Sequence, residues 1–290
     1  MRVAHNSDDQ GLRAAQRYSP RALTDGERWT AGALEELRRA GYRPRGWQRF
    51  IRASLERSAA ARRERPSLAR QGRLWGAGGA IAWLMVCRAT RRIEDIELSP
   101  ARGLAWWLLV WQMLDWHLGM AEGGDGQPRT ALSPADGVTL ARFWLVPAIP
   151  ACARHREGLP ALIALAGATD WADGALARRY GRTRLGRDLD TTADLAFIAV
   201  VAISAQASGR INPLAFQAVV ARYAIGVAIA LVAVFGRARR PAIRARRWGA
   251  LPRFAGLAMC TAGLHRAGTA LVLIGCLVPP RSTAPHLSRA

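Results

Sequence analysis

Four aspartates lie close together in the chain, in two pairs at helical spacing. Asp170 and Asp173 are three positions apart, and Asp190 and Asp194 are four positions apart. Residues at either spacing share a face of an α-helix. The apolar stretches beside both pairs predict helices, and the polar stretch between them predicts a turn. We therefore expect two antiparallel helices whose carboxylate faces meet.

Carboxylates gathered in this way repel one another unless cations lie between them. Hard oxygen ligands of this kind suit Mg2+ or Mn2+. Two such ions can hold a diphosphate and stabilise both the attacking and the leaving oxygens. The spacing therefore predicts a site for two divalent cations, with phosphoryl transfer as its chemistry.

Small residues and an arginine accompany the aspartates. Gly174 and Gly186 remove side chains beside the acidic faces, so that a phosphate or a nucleotide can approach the backbone. Arg178 offers a forked cation to a phosphate oxygen. Asp188 lies two positions before Asp190 and thus on another helical face, where we expect it to be solvated.

From Asp170 to Asp194 the chain reads D-x2-D-G-x2-A-R-x7-G-x3-D-x3-D. This resembles the signature of the CDP-alcohol phosphatidyltransferase family, and every specified position is matched. The segment from Ala135 to Arg142 also looks like the start of the family's first helix, with Asp136 where an asparagine is common.

The resemblance implies an enzyme in which an alcohol attacks the phosphorus of a CDP-linked donor and CMP leaves. It implies that all four aspartates bind metal, and that Asp194 also takes the proton of the alcohol. The resemblance further implies a CDP pocket formed by Gly174, Ala177, Arg178 and Gly186. Two donors stay open: CDP-diacylglycerol, used with a polar alcohol in phospholipid biosynthesis, or a CDP-amino-alcohol, used with diacylglycerol.

A polar, arginine-rich start and an apolar remainder predict an all-α integral membrane protein. Its main part is expected to be a six-helix transmembrane bundle, from six apolar segments at roughly 138–153, 159–176, 191–207, 214–235, 249–264 and 267–280. The expected domains are a basic helical cytosolic region (1–73), a membrane-associated hairpin and loop (74–133), the CDP-alcohol phosphatidyltransferase domain (134–280) and a cytosolic tail (281–290).

The hairpin rests on two apolar runs, 74–87 and 103–114, which are shorter than the roughly 20 residues of a spanning helix. The second run is rich in tryptophan, which favours the membrane–water boundary. Interfacial or re-entrant helices fit best, and a spanning pair is the alternative. Before the hairpin, Trp47 and Ile51 alternate with arginines, so this helix either rests on an anionic membrane surface or packs on a neighbour.

The arginines predict the orientation of the bundle by the positive-inside rule. Two loops are rich in them: Arg178, Arg179, Arg182, Arg184 and Arg187 in one, and Arg237, Arg239, Arg240, Arg244, Arg246 and Arg247 in the other. The opposite loops hold only Arg154, Arg156, Arg210 and Arg266. We therefore expect the termini and the active site to face the cytoplasm, in a bacterial-type plasma membrane. The lack of an apolar signal peptide agrees with this.

The net charge of +21 is carried by arginine alone, because the chain has no lysine. Such uniform usage indicates coding bias, and apolar spans leave little surface for a duplex, so we expect no nucleic-acid partner. The expected partners are the CDP-linked lipid donor, the alcohol acceptor and membrane lipids, and a homodimer stays open. The four cysteines lie in or beside apolar stretches and are expected to be free thiols.

Three arginines stand inside apolar segments: Arg142, Arg222 and Arg253. A membrane arginine is costly and tends to face an interior pocket. We interpret these residues as acceptor-binding, with Arg222 the strongest candidate, whereas Arg142 and Arg253 could instead snorkel from helix ends. Residues 247–253 do not match the lysine–threonine motif of relatives that make phosphatidylglycerophosphate, so the acceptor is undetermined.

Two other interpretations compete with the enzyme: a divalent-cation transporter, and a non-catalytic membrane scaffold, which would not require the glycines. A divalent-cation transporter would place its acids near the membrane midplane, between inverted repeats, whereas these acids cluster at one boundary and no repeat is visible. A second acidic group could be a further site, although a loop with a capping acid is favoured: Asp115, His117, Glu122 and Asp125.

Overall fold

The computed structural model describes residues 25–94, 96–123, 126–181, 183–235, 242–244, 247–278 and 281–283. Nearly all of this secondary structure is helical, which confirms the predicted all-α class. Strands β1 (Ala242–Arg244) and β2 (Arg281–Thr283) add a short antiparallel pair. Expectations that fall on residues 1–24, Asp125, Arg182, Arg237, Arg239, Arg240, Arg246 and 284–290 lie outside the described residues.

Four helices precede the segment with the aspartates: α1 (Asp25–Arg39), α2 (Pro44–Glu64), α3 (Pro66–Thr90) and α4 (Pro100–His117). A 3-10 turn over Leu118–Met120 follows. Proline stands at the first position of α2, α3 and α4, where its missing N–H costs nothing. Helix α3 begins at Pro66, so the boundary expected between residues 73 and 74 falls inside a helix.

The remaining helices follow Ser133. Helix α5 (Pro134–Leu145) leads through a 3-10 turn at Val146–Ala148 into the short α6 (Ile149–Cys152). The later helices are α7 (Gly158–Tyr180), α8 (Arg184–Ala207), α9 (Pro213–Phe235), α10 (Arg247–Thr261) and α11 (His265–Leu277). Helix α5 packs against both α7 and α8, and α10 packs against α7 and α11. The two helices with the aspartates are therefore held together by a third.

Tryptophans join the hairpin of α3 and α4 to α5. The indole N–H groups of Trp111, Trp107 and Trp144 donate to the carbonyls of Gly72, Gly76 and Gly79 at 3.1, 2.8 and 2.9 Å. Trp106 likewise donates to the carbonyl of Phe143 at 2.8 Å. The rings occupy space that side chains at Gly76 and Gly79 would fill. Trp107 is thus buried and Trp106 and Trp111 are half-buried, whereas Trp116 is exposed, and their expected position at a membrane–water boundary stays a prediction.

Helix α2 packs on its neighbours, which is one of the two alternatives drawn from its sequence. Gly46, Ser58 and Ala61 are buried against the rest of the protein. On a second face Trp47, Ile51 and Leu55, four positions apart, are 37%, 48% and 43% exposed. The helix therefore packs on its neighbours and still presents an apolar stripe.

Loops gather at the two ends of the helices. At one end, the backbone of Arg184 donates to the Glu122 carbonyl at 2.9 Å, and the Tyr42 hydroxyl donates to the Phe235 carbonyl at 2.6 Å. At the other end, the Arg210 guanidinium donates to the carbonyls of Arg156, Arg154 and Thr261 at 2.9, 3.0 and 3.3 Å. We call these the Glu122 end and the Arg210 end.

Within the described residues, one helix is long and apolar enough to cross a membrane. It is α9, over Pro213–Val232, with a mean hydropathy of 1.9 and only 11% of that stretch buried. Helix α11 is apolar but shorter. Large apolar side chains are exposed on several other helices too: Leu74, Ile81, Met85, Leu108, Leu109, Ile203, Ile274 and Leu277.

Candidate active site

The structure brings the four aspartates together. Asp170 and Asp173 lie on α7, and Asp190 and Asp194 lie on α8. One carboxylate oxygen from each of Asp170, Asp190 and Asp194 lies within 4.8 Å of the others. The two pairs lie about 10 to 15 Å of helix from the Glu122 end, because Asp173 and Asp170 precede the end of α7 by seven and ten residues and each residue rises about 1.5 Å.

Arg142 of α5 stands at the centre of this cluster. Its side chain is 0% exposed, and its Nη1 donates to Asp190 Oδ1 at 2.8 Å and to Asp194 Oδ1 at 2.6 Å. Its Nη2 lies 3.7 Å from Asp170 Oδ1 and 3.9 Å from Asp173 Oδ2. Full burial differs from the snorkelling alternative, because the guanidinium reaches carboxylates and not water.

Two hydroxyls complete the inner face of the cluster. Thr139, three positions before Arg142 on α5, donates to Asp173 Oδ2 at 2.7 Å. The Thr169 hydroxyl accepts a long hydrogen bond from Arg142 Nε at 3.4 Å. Helix α5 therefore contributes a hydrogen bond to an aspartate of α7 and an ion pair to each aspartate of α8.

The start of α8 is tied to the start of α5. Thr183 caps α8 by accepting from the Gly186 N–H at 2.8 Å, and it donates to Asp136 Oδ1 at 2.9 Å. Asp136 Oδ2 accepts from the Ser133 N–H at 2.7 Å, which closes a capping box on α5. The carboxylate of Asp136 thus fixes the relative position of two helix N-termini.

The structure gives a steric reason for glycine at position 186, in addition to the expected approach of a nucleotide. A Cβ at this position would overlap Asp136 Oδ1 and approach Thr183 Oγ1 at 2.9 Å. The space beside Gly186 is therefore occupied by the cap of α8. Gly186 permits the close approach of α5 to α8, and its assignment to the CDP pocket stays a prediction.

The donor set fits divalent cations. The aspartates of α7 and α8 offer hard oxygen ligands, and three of their carboxylates are close enough to share one ion. Asp173 is 13% exposed, whereas Asp170, Asp190 and Asp194 are 43%, 39% and 28% exposed. The cluster is therefore accessible from one side, as a site that admits ions and a diphosphate requires.

The remaining residues of the motif lie on the same helix as the first aspartate pair. Gly174 and Ala177 are half-buried on α7, and Arg178 is exposed towards the Glu122 end. Arg178 forms no hydrogen bond or ion pair with the residues that the structure describes, so its guanidinium is free to meet a phosphate.

Arg222 and Arg253 form no ion pair with the aspartates among the described residues. Arg253 donates to the Gly275 carbonyl at 2.8 Å and lies over the ring of Tyr223, 5.9 Å from its centroid, and its buried Nε has no partner there. Arg222 is half-buried without a hydrogen bond to the described residues.

The second acidic group does not form a cluster among the described residues. Asp115 is paired with Arg62, and His117 Nδ1 lies 2.7 Å from the Met113 carbonyl. Glu122 is 3% exposed and accepts from the Gly26 N–H at 3.0 Å, so that it caps the start of α1. These roles agree with the favoured interpretation of a capping acid, and Asp125 lies outside the described residues.

Sequence reasoning missed two contributors to the cluster. Arg142 was assigned to the acceptor, and Thr139 was not assigned at all. The spacing contained a signal, because residues three apart share a helical face. A face that holds a hydroxyl and a guanidinium inside an apolar helix indicates an acidic neighbour.

The comparisons with known proteins concern the second half of the chain. The family model described as CDP-alcohol phosphatidyltransferase matches residues 132–279. This stretch includes α5 to α11, the four aspartates and Arg142. No curated protein and no solved structure matches the chain.

Proposed function

Because the chain belongs to the CDP-alcohol phosphatidyltransferase family, we propose that it transfers a phosphatidyl group from CDP-diacylglycerol to an alcohol. CMP is the second product, and the reaction serves phospholipid biosynthesis. The observation that carries this proposal is the convergence of four carboxylates from α7 and α8 on one partly accessible point. A transferase of diphosphate-linked donors needs such a concentration of ligands.

The proposed chemistry is a direct displacement at phosphorus. The oxygen of the alcohol forms a bond to the phosphorus of the phosphatidyl group, the bond from that phosphorus to the CMP oxygen breaks, and the proton of the alcohol passes to Asp194. Asp170, Asp173, Asp190 and Asp194 would hold two divalent cations, Mg2+ or Mn2+. When bound, these cations supply charge neutralisation for the diphosphate. Position and charge, more than covalent chemistry, account for catalysis of this kind.

The CDP pocket is assigned to the rest of the motif. Gly174 and Ala177 carry no large side chain, so that α7 leaves space beside the aspartates in which a nucleotide can lie. Arg178, one helical turn after Gly174, is exposed and can form a forked contact with the diphosphate. Gly186 shapes the pocket indirectly, because it lets the start of α8 approach α5.

The test of the proposed function is CMP release by the purified protein. CDP-diacylglycerol is supplied with Mn2+ or Mg2+ and with each member of a panel of alcohols. We expect CMP to appear only when donor, cation and a suitable alcohol are all present. CMP release from a CDP-amino-alcohol with diacylglycerol would instead support the other donor. Mn2+ uptake into proteoliposomes without CMP release would support a transporter.

The membrane location is part of the same proposal. Helix α9 is apolar and mostly unburied over Pro213–Val232, and a water-soluble protein rarely exposes so large an apolar surface. We propose that α5 to α11 form a six-segment transmembrane bundle, in which α5 and α6 count as one segment. Exposed apolar side chains of α3 and α4 then face lipid as well.

The arginines at the two ends of the proposed bundle indicate its orientation in the membrane. Arg178, Arg179, Arg184, Arg187, Arg244 and Arg247 lie at the Glu122 end, whereas the Arg210 end holds four described arginines of the loops, Arg154, Arg156, Arg210 and Arg266. The positive-inside rule then assigns the Glu122 end to the cytoplasm. The exposed apolar stripe of α2 supports this, because Trp47 packs on Phe235, at the end of the proposed span, with ring centroids 6.1 Å apart. The aspartates near the Glu122 end would face cytosolic substrates.

The acceptor is proposed to be an anionic alcohol such as glycerol 3-phosphate. An arginine in an apolar helix needs an anion beside it, and Arg222 has no such partner among the described residues. Arg253 supplies a second cation with an unpartnered Nε.

Replacing Arg222 with leucine is expected to raise the KM for the acceptor about 10- to 100-fold, because a lost charge-assisted hydrogen bond costs about 1.5–3 kcal/mol. Binding of CDP-diacylglycerol should change little. Initial-rate kinetics with varied acceptor measure the first quantity, and calorimetry measures the second. Arg266→Leu, at an exposed position of α11 near the Arg210 end, is the matched control. An unchanged acceptor KM in Arg222→Leu would favour a neutral alcohol.

A further inference from the structure

The buried guanidinium of Arg142 and the four carboxylates neutralise each other's charges. A fully buried guanidinium is costly without a carboxylate, and four neighbouring carboxylates are costly without a cation. The Nη1 group of Arg142 lowers both costs, because it donates to Asp190 Oδ1 at 2.8 Å and to Asp194 Oδ1 at 2.6 Å. Among the described residues, Arg142 is the basic side chain that forms ion pairs with Asp173, Asp190 and Asp194.

The two sides of the guanidinium are not equivalent. Nη1 makes two hydrogen bonds to α8, whereas the buried Nη2 has no hydrogen-bond partner in the described part of the chain. Nη2 lies 3.7 and 3.9 Å from the carboxylates of α7, beyond a good hydrogen bond. Arg142 therefore holds the α8 aspartates firmly and only neutralises those of α7.

We infer that Arg142 is a positioning residue that takes the place of the divalent cations while the site is metal-free. This inference rests on the proposed function for the identity of the ions. Cations bound by the same four carboxylates carry the same sign of charge as the guanidinium, and like charges at this distance repel. The hold of Arg142 on Asp190 and Asp194 is therefore weaker in the loaded protein.

A residue that stabilises the metal-free state more than the loaded state must oppose metal binding. By linkage, its removal lowers the stability of the metal-free protein, and it raises the affinity for the cation by the difference between the stabilisation of the metal-free and of the loaded state. An ordinary structural arginine would stabilise both states equally. An arginine that oriented the ligands for the metal would have the opposite effect on affinity.

The experiment uses full-length protein in detergent and Mn2+ as the probe. Arg142→Met removes the charge and keeps a similar length. We expect its melting temperature to fall in EDTA and to return close to the wild-type value in saturating Mn2+. Electron paramagnetic resonance of free Mn2+ should show binding about tenfold tighter than in the wild type, equivalent to about 1.4 kcal/mol.

Two further variants keep the test decisive. Arg142→Lys retains a charge but not the fork that reaches two carboxylates, so Mn2+ affinity should rise by less than in Arg142→Met. This variant still reports if Arg142→Met does not fold. Arg210→Met removes an arginine that donates to backbone carbonyls at the other end and should lower both melting temperatures without changing Mn2+ affinity.

If Mn2+ affinity is unchanged or lower in both Arg142 variants, Arg142 does not take the place of the cations, and the inference is overturned. Wild-type protein that binds no Mn2+ would overturn it as well. The CMP-release assay is scored separately, so that a protein that binds Mn2+ with the expected variant pattern but releases no CMP contradicts only the proposed function.

Discussion

Asp190→Asn is expected to abolish CMP release, by on the order of 10³-fold or more, which corresponds to about 4 kcal/mol of lost transition-state stabilisation. Asp190 is one of the three carboxylates close enough to share an ion. The amide offers only a neutral oxygen, so Mn2+ binding should weaken in parallel. The assay is CMP release from CDP-diacylglycerol, with Mn2+ affinity measured on the same preparation.

Asp188→Asn is the matched control for this substitution. Asp188 lies on the same helix, and its carboxylate faces Arg184 and Arg187 at 3.9 and 3.4 Å, away from the cluster. Its substitution should leave Mn2+ affinity unchanged. Full turnover of Asp190→Asn at ordinary Mg2+ concentrations would exclude the two-metal site.

Asp194→Asn is expected to lower turnover by about 10²- to 10⁴-fold, the contribution typical of a general base. If Asp194 mainly accepts the proton of the alcohol, the affinities for Mn2+ and for CDP should change far less than the rate. Calorimetric titration of CDP in the presence of Mn2+ separates the two effects. A fall in nucleotide affinity as large as the fall in rate would make Asp194 an essential ligand instead.

The parts of the site that sequence predicted are local in the chain. The pairs Asp170 with Asp173 and Asp190 with Asp194 follow from helical periodicity, and a short loop suffices to make α7 and α8 antiparallel. The start of α9 at Pro213 lies one residue from the segment expected from 214, whereas α5 begins at Pro134, four residues before the segment expected from 138. Periodicity and capping act within one turn of helix, so they can be read without a structure.

The parts that sequence did not predict depend on contacts between distant segments. Arg142 reaches Asp190 across 48 positions, and nothing in its own helix says which neighbour it meets. Gly186 is small because of Asp136, 50 positions earlier. Residue type alone does not show either that Trp107 and Trp111 donate to carbonyls of α3 and that Trp106 donates to a carbonyl of α5.

Glu122 ties the helices before residue 132 to the stretch that the family model matches. The Glu122 side chain binds the start of α1 while its carbonyl accepts from the first residue of α8. Tryptophans 106 and 144 bond across the α3–α4–α5 contact in both directions. A fragment limited to residues 132–279 would lose these partners and expose their apolar surroundings. We therefore expect the family-matched stretch expressed alone to be less stable than the longer chain, because the preceding helices cover part of its apolar surface.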